Sequence, residues 1–135
     1  MALAGLARMA YRVQPPEAVL HSIYTRFLPF AGFMNWTGIM ISGPNDLGLA
    51  MVCATLGRHD EADGYFASTL APCEQAQARV WIARIHNDWS RILADRGDKV
   101  RAREHAEIAL AMASELGMNG PFGVVARAQA VLDSL

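Results

Sequence analysis

The sequence repeats itself in residues 49–71, LAMVCATLGRHDEADGYFASTLA, and again in residues 89–111, WSRILADRGDKVRAREHAEIALA. The matched pairs, 40 positions apart, are Leu49 and Trp89, Val52 and Ile92, Cys53 and Leu93, Gly57 and Gly97, Ala62 and Ala102, Phe66 and Ala106, and Leu70 and Leu110. A period of 20–50 residues is typical of stacked supersecondary units. The spacing of apolar residues within each copy is helical. We therefore expect an all-α fold of antiparallel helix pairs, stacked as a short right-handed solenoid.

The helix boundaries follow from proline, glycine and charge. The sequence predicts helix pairs over about 1–28, 44–71 and 75–116, and a C-terminal capping helix over about 121–135, all in a single domain. Pro72 is expected to end one helix, because proline lacks the N–H that a helix interior needs. The longest helix is predicted over 74–96. Residues 30–43 are predicted to form an apolar loop.

Composition limits the classes of function. The 135 residues carry 12 basic and 13 acidic side chains, well interspersed, for a net charge of −1. No basic stripe of the kind that binds phosphate is present, so nucleic acid is not expected as a partner. The sequence has no run of about 18 apolar residues, so we expect no membrane span. The N-terminal residues resemble a helix more than a signal peptide. We expect a cytoplasmic protein, and leave open whether Met1 is the natural start.

The segment FAGFMNWTGIMISG, residues 30–43, combines the glycines of a loop with the side chains of a core. One interpretation is a loop packed over the first helix pair. The other is a surface for a partner or ligand, because contiguous exposed apolar patches usually mark contacts. Trp81 and Trp89 lie on one predicted helical stripe and belong either to the core or to a ligand groove. The candidate surface therefore comprises Phe33, Met34, Trp36, Ile39, Met40, Trp81 and Trp89.

No catalytic or metal-binding arrangement is expected. The densest polar cluster surrounds His59, which falls in a repeat turn where polar residues are ordinary. His86 is expected to pack at a helix interface, His105 to lie on a charged face, and neither has a second ligand at zinc spacing. Cys53 is predicted to be buried and inert, whereas Cys73 is predicted to be more exposed, just after a helix end. We expect no enzyme and no cofactor.

The run Leu56-Gly57-Arg58-His59-Asp60-Glu61-Ala62, followed by Phe66, resembles the tetratricopeptide repeat (TPR). The large-small pair Leu49-Ala50 in the first helix also matches that pattern, whereas Thr69 replaces its last alanine. In the next copy Gly97, Ala102 and Ala109 match, while Ala106 replaces the aromatic residue. The resemblance implies a TPR-like solenoid.

A narrower resemblance covers residues 28–135. The matching elements are Gly43-Pro44 through Leu49, Leu56-Gly57-Arg58, Asp60-Glu61-Ala62, Ala83-Arg84, Leu93-Ala94, Arg96-Gly97-Asp98 and Glu115-Leu116-Gly117-Met118. This pattern is similar to the C-terminal helical-repeat region of large bacterial signalling proteins, in which an ATPase accompanies a class III adenylate cyclase domain or a LuxR-type DNA-binding domain. The motifs of those enzymatic and DNA-binding domains have no counterpart in this chain.

The resemblance implies a non-catalytic protein–protein interaction or scaffold module of a bacterial signalling or transcription-regulatory system. A homodimer is the simplest way to cover the apolar surface that so short an array leaves. The alternative is a small-molecule-sensing regulatory domain, with a pocket between the 30–43 loop and the helix that carries Trp81 and Trp89.

Overall fold

The protein is all-α in a computed structural model that describes residues 3–36 and 41–135. The helices within these ranges are α1 Leu3–Val13, α2 Glu17–Phe27, α3 Asn45–Thr55, α4 His59–Gln75, α5 Arg79–Asp95, α6 Lys99–Glu115 and α7 Val124–Ser134. None of these helices has both the length and the apolar character needed to cross a lipid bilayer. The all-α class predicted from helical periodicity is confirmed.

Four turns share one geometry and follow each other at 20-residue intervals. Their left-handed residues are Gly57 (φ 73°), Gln77 (φ 50°), Gly97 (φ 88°) and Gly117 (φ 68°). In each turn the next residue donates its N–H to the carbonyl five positions earlier, at N···O distances of 2.9, 2.8, 2.9 and 2.9 Å. This is the Schellman pattern that ends helices. The 40-residue sequence period therefore spans two helices and two equivalent turns.

The turn at Gln77 corrects two expectations. The predicted helix over 74–96 is wrong at its start, because α4 continues to Gln75 and α5 begins at Arg79. Pro72 lies inside α4 instead of ending it. Proline removes one N–H donor, but its carbonyl still accepts from Ala76 N at 3.0 Å, and the buried side of α4 continues to Cys73. Burial of this stripe offsets the local cost of the missing bond.

The chain divides into two compact units, Met1–Ala71 and Pro72–Leu135, so the predicted single domain contains two such units. In unit 1 both α1 and α2 pack against α3. Helix α3 is buried at every position from 45 to 54, which explains why its sequence is apolar on all sides.

The predicted 30–43 loop contains more regular structure than expected. A 3₁₀ helix, Leu28–Phe30, precedes two short antiparallel strands, β1 Met34–Trp36 and β2 Ile41–Pro44. Met34 lies opposite Pro44 and Asn35 opposite Gly43, with an irregularity before Trp36. This ribbon corrects the prediction of a loop without strands. Its glycines and its short length left no alternating pattern in the sequence.

Four buried positions of α4 recur 40 residues later in α6. The pairs are Ala62 and Ala102, Phe66 and Ala106, Thr69 and Ala109, and Cys73 and Ala113. Their spacing of four, three and four residues defines one face of a helix. Ala62 and Ala102 are fully buried, as the repeat predicts, because small residues permit close approach of neighbouring helices.

Unit 2 consists mainly of α5, α6 and α7, which pack against one another. Its core cluster is small-residue rich: Ala83, Ala109, Ala113, Val124 and Ala128. Leu110, Met112, Met118 and Val125 pack around that cluster. The C-terminal helix predicted over 121–135 begins later, at Val124, because residues 117–123 form turns.

Candidate interaction surface

Large apolar side chains of unit 1 are exposed between residues 28 and 34. Leu28 is 42% exposed, Phe30 53%, Phe33 64% and Met34 49%. We call these four residues the apolar segment. Full burial of a side chain of this size is worth roughly 1.5–3 kcal/mol. Four such side chains, each about half exposed, lie within seven positions. Soluble monomers rarely expose a group of this kind, because each side chain forgoes part of that free energy.

Asp46 holds the backbone of the apolar segment in place. Its Oδ1 accepts a hydrogen bond from the Gly32 backbone N–H at 2.7 Å, and its Oδ2 accepts one from the Ser68 hydroxyl at 3.2 Å. The carboxylate lies in the first turn of α3, where the helix dipole favours negative charge, and the residue is only 8% exposed. One buried side chain therefore connects the segment, α3 and α4.

Asn45 adds two further bonds to the same segment. Its side-chain amide donates to the Phe30 carbonyl at 3.2 Å, and its backbone N–H donates to the Phe33 carbonyl at 3.0 Å. The exposed side chains thus project from a backbone that is hydrogen-bonded to the start of α3. Such an ordered surface loses little conformational entropy when a partner binds. Sequence reasoning missed Asn45 and Asp46, although an Asn-Asp pair at a helix start was a visible signal.

A second apolar region lies on α1 and α2. Met9, Val13 and Val19 are 62%, 72% and 45% exposed. A groove of about 420 Å³ is lined by Leu6, Ala18, Val19, Ser22, Ile23, Arg26 and Phe27. We call it the α1–α2 groove. Its lining is apolar apart from Ser22 and Arg26.

A polar network attaches α2 to α4. The Tyr24 hydroxyl lies 3.4 Å from Glu61 Oε2 and 3.3 Å from the Tyr65 hydroxyl, and the Arg58 guanidinium lies 5.4 Å from the centre of the Tyr24 ring. Burial, and then the hydrogen bond with Tyr24, raise the pKa of the Tyr65 phenol above its usual value. The Tyr65 phenol is therefore neutral at pH 7, and its hydroxyl contact with Tyr24 helps to fix the position of α2.

The predicted surface residues divide between the two units. Phe33 and Met34 are exposed in unit 1, and the backbone of Trp36 lies in β1. The side chain of Trp36, and all of Ile39 and Met40, lie outside the part of the chain that the structure describes. Trp81 and Trp89 belong to unit 2.

The two tryptophans of unit 2 differ in exposure. Trp89 is only 7% exposed, so its ring contributes almost nothing to an open surface. That ring lies 4.3 Å from the His105 ring centre and 5.5 Å from the Arg101 guanidinium. Trp81 is half-buried, with the Arg84 guanidinium 4.9 Å from its ring. Both rings lie beside cationic or imidazole side chains of unit 2. Because Trp89 is buried as well, it belongs to the core.

Two histidines form a close pair in unit 2. His86 Nδ1 lies 2.7 Å from His105 Nδ1, so one ring donates a proton that the other accepts, and both rings cannot be protonated in this geometry. His86 is 6% exposed, and burial lowers its pKa. The prediction that His86 packs at a helix interface agrees with this contact. The predicted charged face at His105 is wrong, since its ring is in contact with His86 and Trp89.

An open groove of about 570 Å³ borders the histidine pair. Its apolar lining residues are Ile82, Ile108 and Met112, and its polar lining residues are Glu74, Gln77, Arg79 and His86. Arg79 forms an ion pair with Glu115 near this groove. The lining thus combines apolar side chains with a few polar groups, as small-molecule sites usually do.

The cysteines are buried thiols. Cys53 is fully buried, and desolvation raises its pKa to about 12. Cys73 was expected to be exposed, but it is 5% exposed within α4, and burial raises its pKa too. A thiol that stays protonated is a poor nucleophile and a poor metal ligand. Over residues 3–36 and 41–135, no group of three or more histidine, cysteine or acidic side chains is arranged to hold a metal ion.

Comparison of the chain with protein-family models, with curated proteins and with solved structures finds no match.

Proposed function

We propose that this chain is a non-catalytic helical-repeat module that binds a protein partner through the apolar segment. The observation that carries the proposal is the exposure of Leu28, Phe30, Phe33 and Met34 on a backbone that Asn45 and Asp46 hold in place. A flexible apolar loop would lose entropy on binding. An ordered one presents its side chains already in position, which is how preorganised surfaces gain affinity.

The recurrence of turns and buried positions supports the repeat architecture of the proposal. Turns of one geometry follow at 20-residue intervals, and the buried faces of α4 and α6 match position by position. The proposal includes a TPR-like solenoid of helix pairs, with α7 as its cap. Repeat arrays of this kind present extended surfaces to partners. The resemblance to the repeat region of bacterial signalling proteins supports the further proposal that the module belongs to a signalling or transcription-regulatory system.

The test compares two double variants with matched chemistry. Phe30→Ser combined with Phe33→Ser removes aromatic surface from the apolar segment. Val100→Ser combined with Phe122→Ser removes apolar side chains that are 70% and 89% exposed in unit 2. Each protein is crosslinked in extract of its own cells, and self-association is measured separately by sedimentation velocity. Circular dichroism checks that both variants keep the helical content of the wild type.

We expect the wild type and the unit 2 variant to capture the same partner, or a second copy, and the Phe30/Phe33 variant to lose it. Equal capture by all three proteins would contradict the proposed surface. A wild type that stays monomeric and captures nothing would contradict the proposed function.

A small-molecule-sensing domain is the second candidate function. The sequence-based alternative placed its pocket between residues 30–43 and the tryptophan helix, whereas the observation that favours this function is the 570 Å³ groove beside His86. The His105 ring joins His86 to Trp89, so a ligand in the groove is expected to shift tryptophan emission. A metabolite screen read by fluorescence, repeated on Ile108→Glu, tests this. A flat response in the wild type would favour protein binding alone.

A further inference from the structure

We propose that the outer edge of β1 pairs with β1 of a second copy of this chain, in an antiparallel twofold contact centred on Met34. This inference deepens the proposed function, on which it rests, by naming the partner of the apolar segment and the backbone groups that make the contact. Strand β1, Met34–Trp36, begins at the last residue of the apolar segment.

The ribbon has an open side at β1. Among the described residues the sheet has two strands, so β1 has β2 as its one neighbouring strand. Strand β2 is the inner one, because it contacts α1 and α3. Gly32 and Phe33, which lead into β1, are exposed, and so is Met34. An edge strand of this kind carries N–H and C=O groups that can pair with another chain.

The hydrogen bonds to β2 and α3 determine which backbone groups of β1 face outwards. The Asn45 N–H donates to the Phe33 carbonyl at 3.0 Å, which makes these two residues a hydrogen-bonded pair of the antiparallel ladder. Hydrogen-bonded and non-hydrogen-bonded pairs alternate along such a ladder. The next pair, Met34 and Pro44, is therefore non-hydrogen-bonded, and Pro44 has no N–H to donate. The N–H and C=O of Met34 consequently point away from β2.

An outward N–H and C=O on one residue are complementary to the same residue of a second copy. When two β1 strands meet antiparallel with Met34 opposite Met34, each N–H donates to the carbonyl of the other copy. This gives two equivalent hydrogen bonds across a twofold axis. Phe33 and Met34, which are 64% and 49% exposed, then lie beside the axis, where the contact covers them.

The sequence of this edge lacks the features that prevent such pairing. Natural edge strands are protected by lysine, by proline or by inward-pointing charges. Residues 27–36, FLPFAGFMNW, contain no charged side chain, and their one proline, Pro29, precedes the strand. A twofold contact within this segment therefore brings no like charges of its own residues together, and the net charge of −1 adds little repulsion between copies. Because β1 has only three residues, the apolar side chains beside it supply much of the affinity.

Two variants of Met34 separate backbone pairing from apolar burial. Met34→Ala removes the side chain and keeps the outward N–H. Met34→Pro removes that N–H as well, and proline is accepted on an edge strand whose N–H faces outwards. The control is Val100→Ala, which shortens an exposed apolar side chain of α6. Sedimentation equilibrium measures the dimer dissociation constant, and hydrogen exchange at the Asn45 amide checks that the bond to Phe33 is kept.

We expect the wild type and Val100→Ala to form dimers of equal affinity. Met34→Ala should weaken the dimer, because an apolar side chain is lost from each copy. Met34→Pro should raise the dissociation constant about tenfold above that of Met34→Ala, because two hydrogen bonds across the axis are lost in addition.

The register is tested by crosslinking Met34→Cys with a short bismaleimide. Cys53 and Cys73 are buried, so the introduced thiol reacts first. We expect a covalent dimer from Met34→Cys, since the two introduced thiols lie side by side at the axis. The matched control Val100→Cys, at a position that is 70% exposed, should remain monomeric on denaturing gels. This measurement also decides the matter if Met34→Pro loses the slow exchange of the Asn45 amide.

Three results would overturn the inference. The first is a wild type that stays monomeric. The second is an equal dissociation constant for Met34→Pro and Met34→Ala while the Asn45 amide stays protected. The third is equal crosslinking of Met34→Cys and Val100→Cys. In each case the proposed function still stands if the wild type captures a different protein and the Phe30/Phe33 variant loses it.

Discussion

The two units expose their apolar side chains in different ways. In unit 1, four large side chains lie exposed within residues 28–34, on a backbone that buried polar groups hold. In unit 2, the exposed Val80, Val100, Ile108 and Phe122 come from α5, from separate positions on α6 and from a turn. Single exposed apolar residues are normal on any protein, whereas a contiguous ordered group needs a reason. This difference is the reason why the proposed binding surface is assigned to unit 1.

Removing the carboxylate of Asp46 should loosen the backbone of the apolar segment, and the ordered backbone is what distinguishes this segment from the scattered apolar residues of unit 2. Asp46→Ala removes the acceptor for Gly32 N–H and for the Ser68 hydroxyl, and hydrogen bonds to a charged acceptor contribute about 1.5–3 kcal/mol each. We expect the free energy of unfolding to fall by about 2–4 kcal/mol. Hydrogen exchange should show faster exchange at the Gly32 amide and unchanged exchange in α6 and α7.

The exposed Asp60 offers a matched control for that experiment. Asp60→Ala removes a carboxylate from the first turn of α4, where negative charge interacts favourably with the helix dipole. We expect this loss to lower the free energy of unfolding by about 0.3–1 kcal/mol. A loss in Asp46→Ala no larger than the loss in Asp60→Ala would contradict the role assigned to Asp46.

Acid should affect unit 2 through its histidine pair. Burial lowers the pKa of His86 below the value of about 6.5 that it has in the unfolded chain. Above pH 6.5 the ring is neutral in both states and its contribution to stability is complete. As the pH falls through the folded pKa, that contribution is lost, because the unfolded state binds the proton first. The charged neighbours given by the structure are Glu74 and Arg79 in the groove and Arg101 near Trp89.

Urea unfolding between pH 7.5 and pH 5 measures this effect, with tryptophan emission reporting on Trp89 beside His105. We expect the wild type to lose stability below pH 6.5 and His86→Gln to lose less over the same range. His59→Gln, at the exposed first residue of α4, should follow the wild type. The same pH slope in His86→Gln and the wild type would contradict the contribution of the pair.

The sequence predicted the parts of the fold that depend on local pattern. The helix class follows from apolar residues at helical spacing, and burial of Ala62 and Ala102 follows from their recurrence. The turn at Gln77 was missed because a glutamine occupies a position where the other turns have glycine. Pro72 misled the prediction because its local cost is offset by burial along the rest of α4.

The candidate site was predictable only in part. Phe33 and Met34 stood out as apolar residues in a glycine-rich segment, and they are exposed. Asp46 holds that segment from 14 positions away, and such a contact depends on how α3 is oriented rather than on sequence spacing. The His86–His105 contact likewise depends on how α5 and α6 are rotated about their axes. Neither orientation follows from periodicity.

The smallest expected effect comes from exchanging glutamine and glycine between two equivalent turns of unit 2. Gln77 has a φ of 50° and Gly97 a φ of 88°, although both residues occupy the same turn geometry. The left-handed conformation costs a residue with a Cβ about 1–2 kcal/mol, and glycine loses part of this advantage through its freer unfolded chain. We therefore expect Gln77→Gly to raise the free energy of unfolding by about 0.5–1 kcal/mol, measured by urea unfolding.

The reverse change at Gly97 isolates the conformational cost. A Cβ at Gly97 meets no atom within 4 Å, so Gly97→Gln introduces no clash at that atom and should lower stability by about the amount that Gln77→Gly gains. Opposite signs of similar size would show that the turns of the repeat are energetically equivalent, with Gln77 the strained member. A loss of stability in Gln77→Gly would instead mean that the glutamine side chain stabilises its turn, and the equivalence of the four turns would then be geometric only.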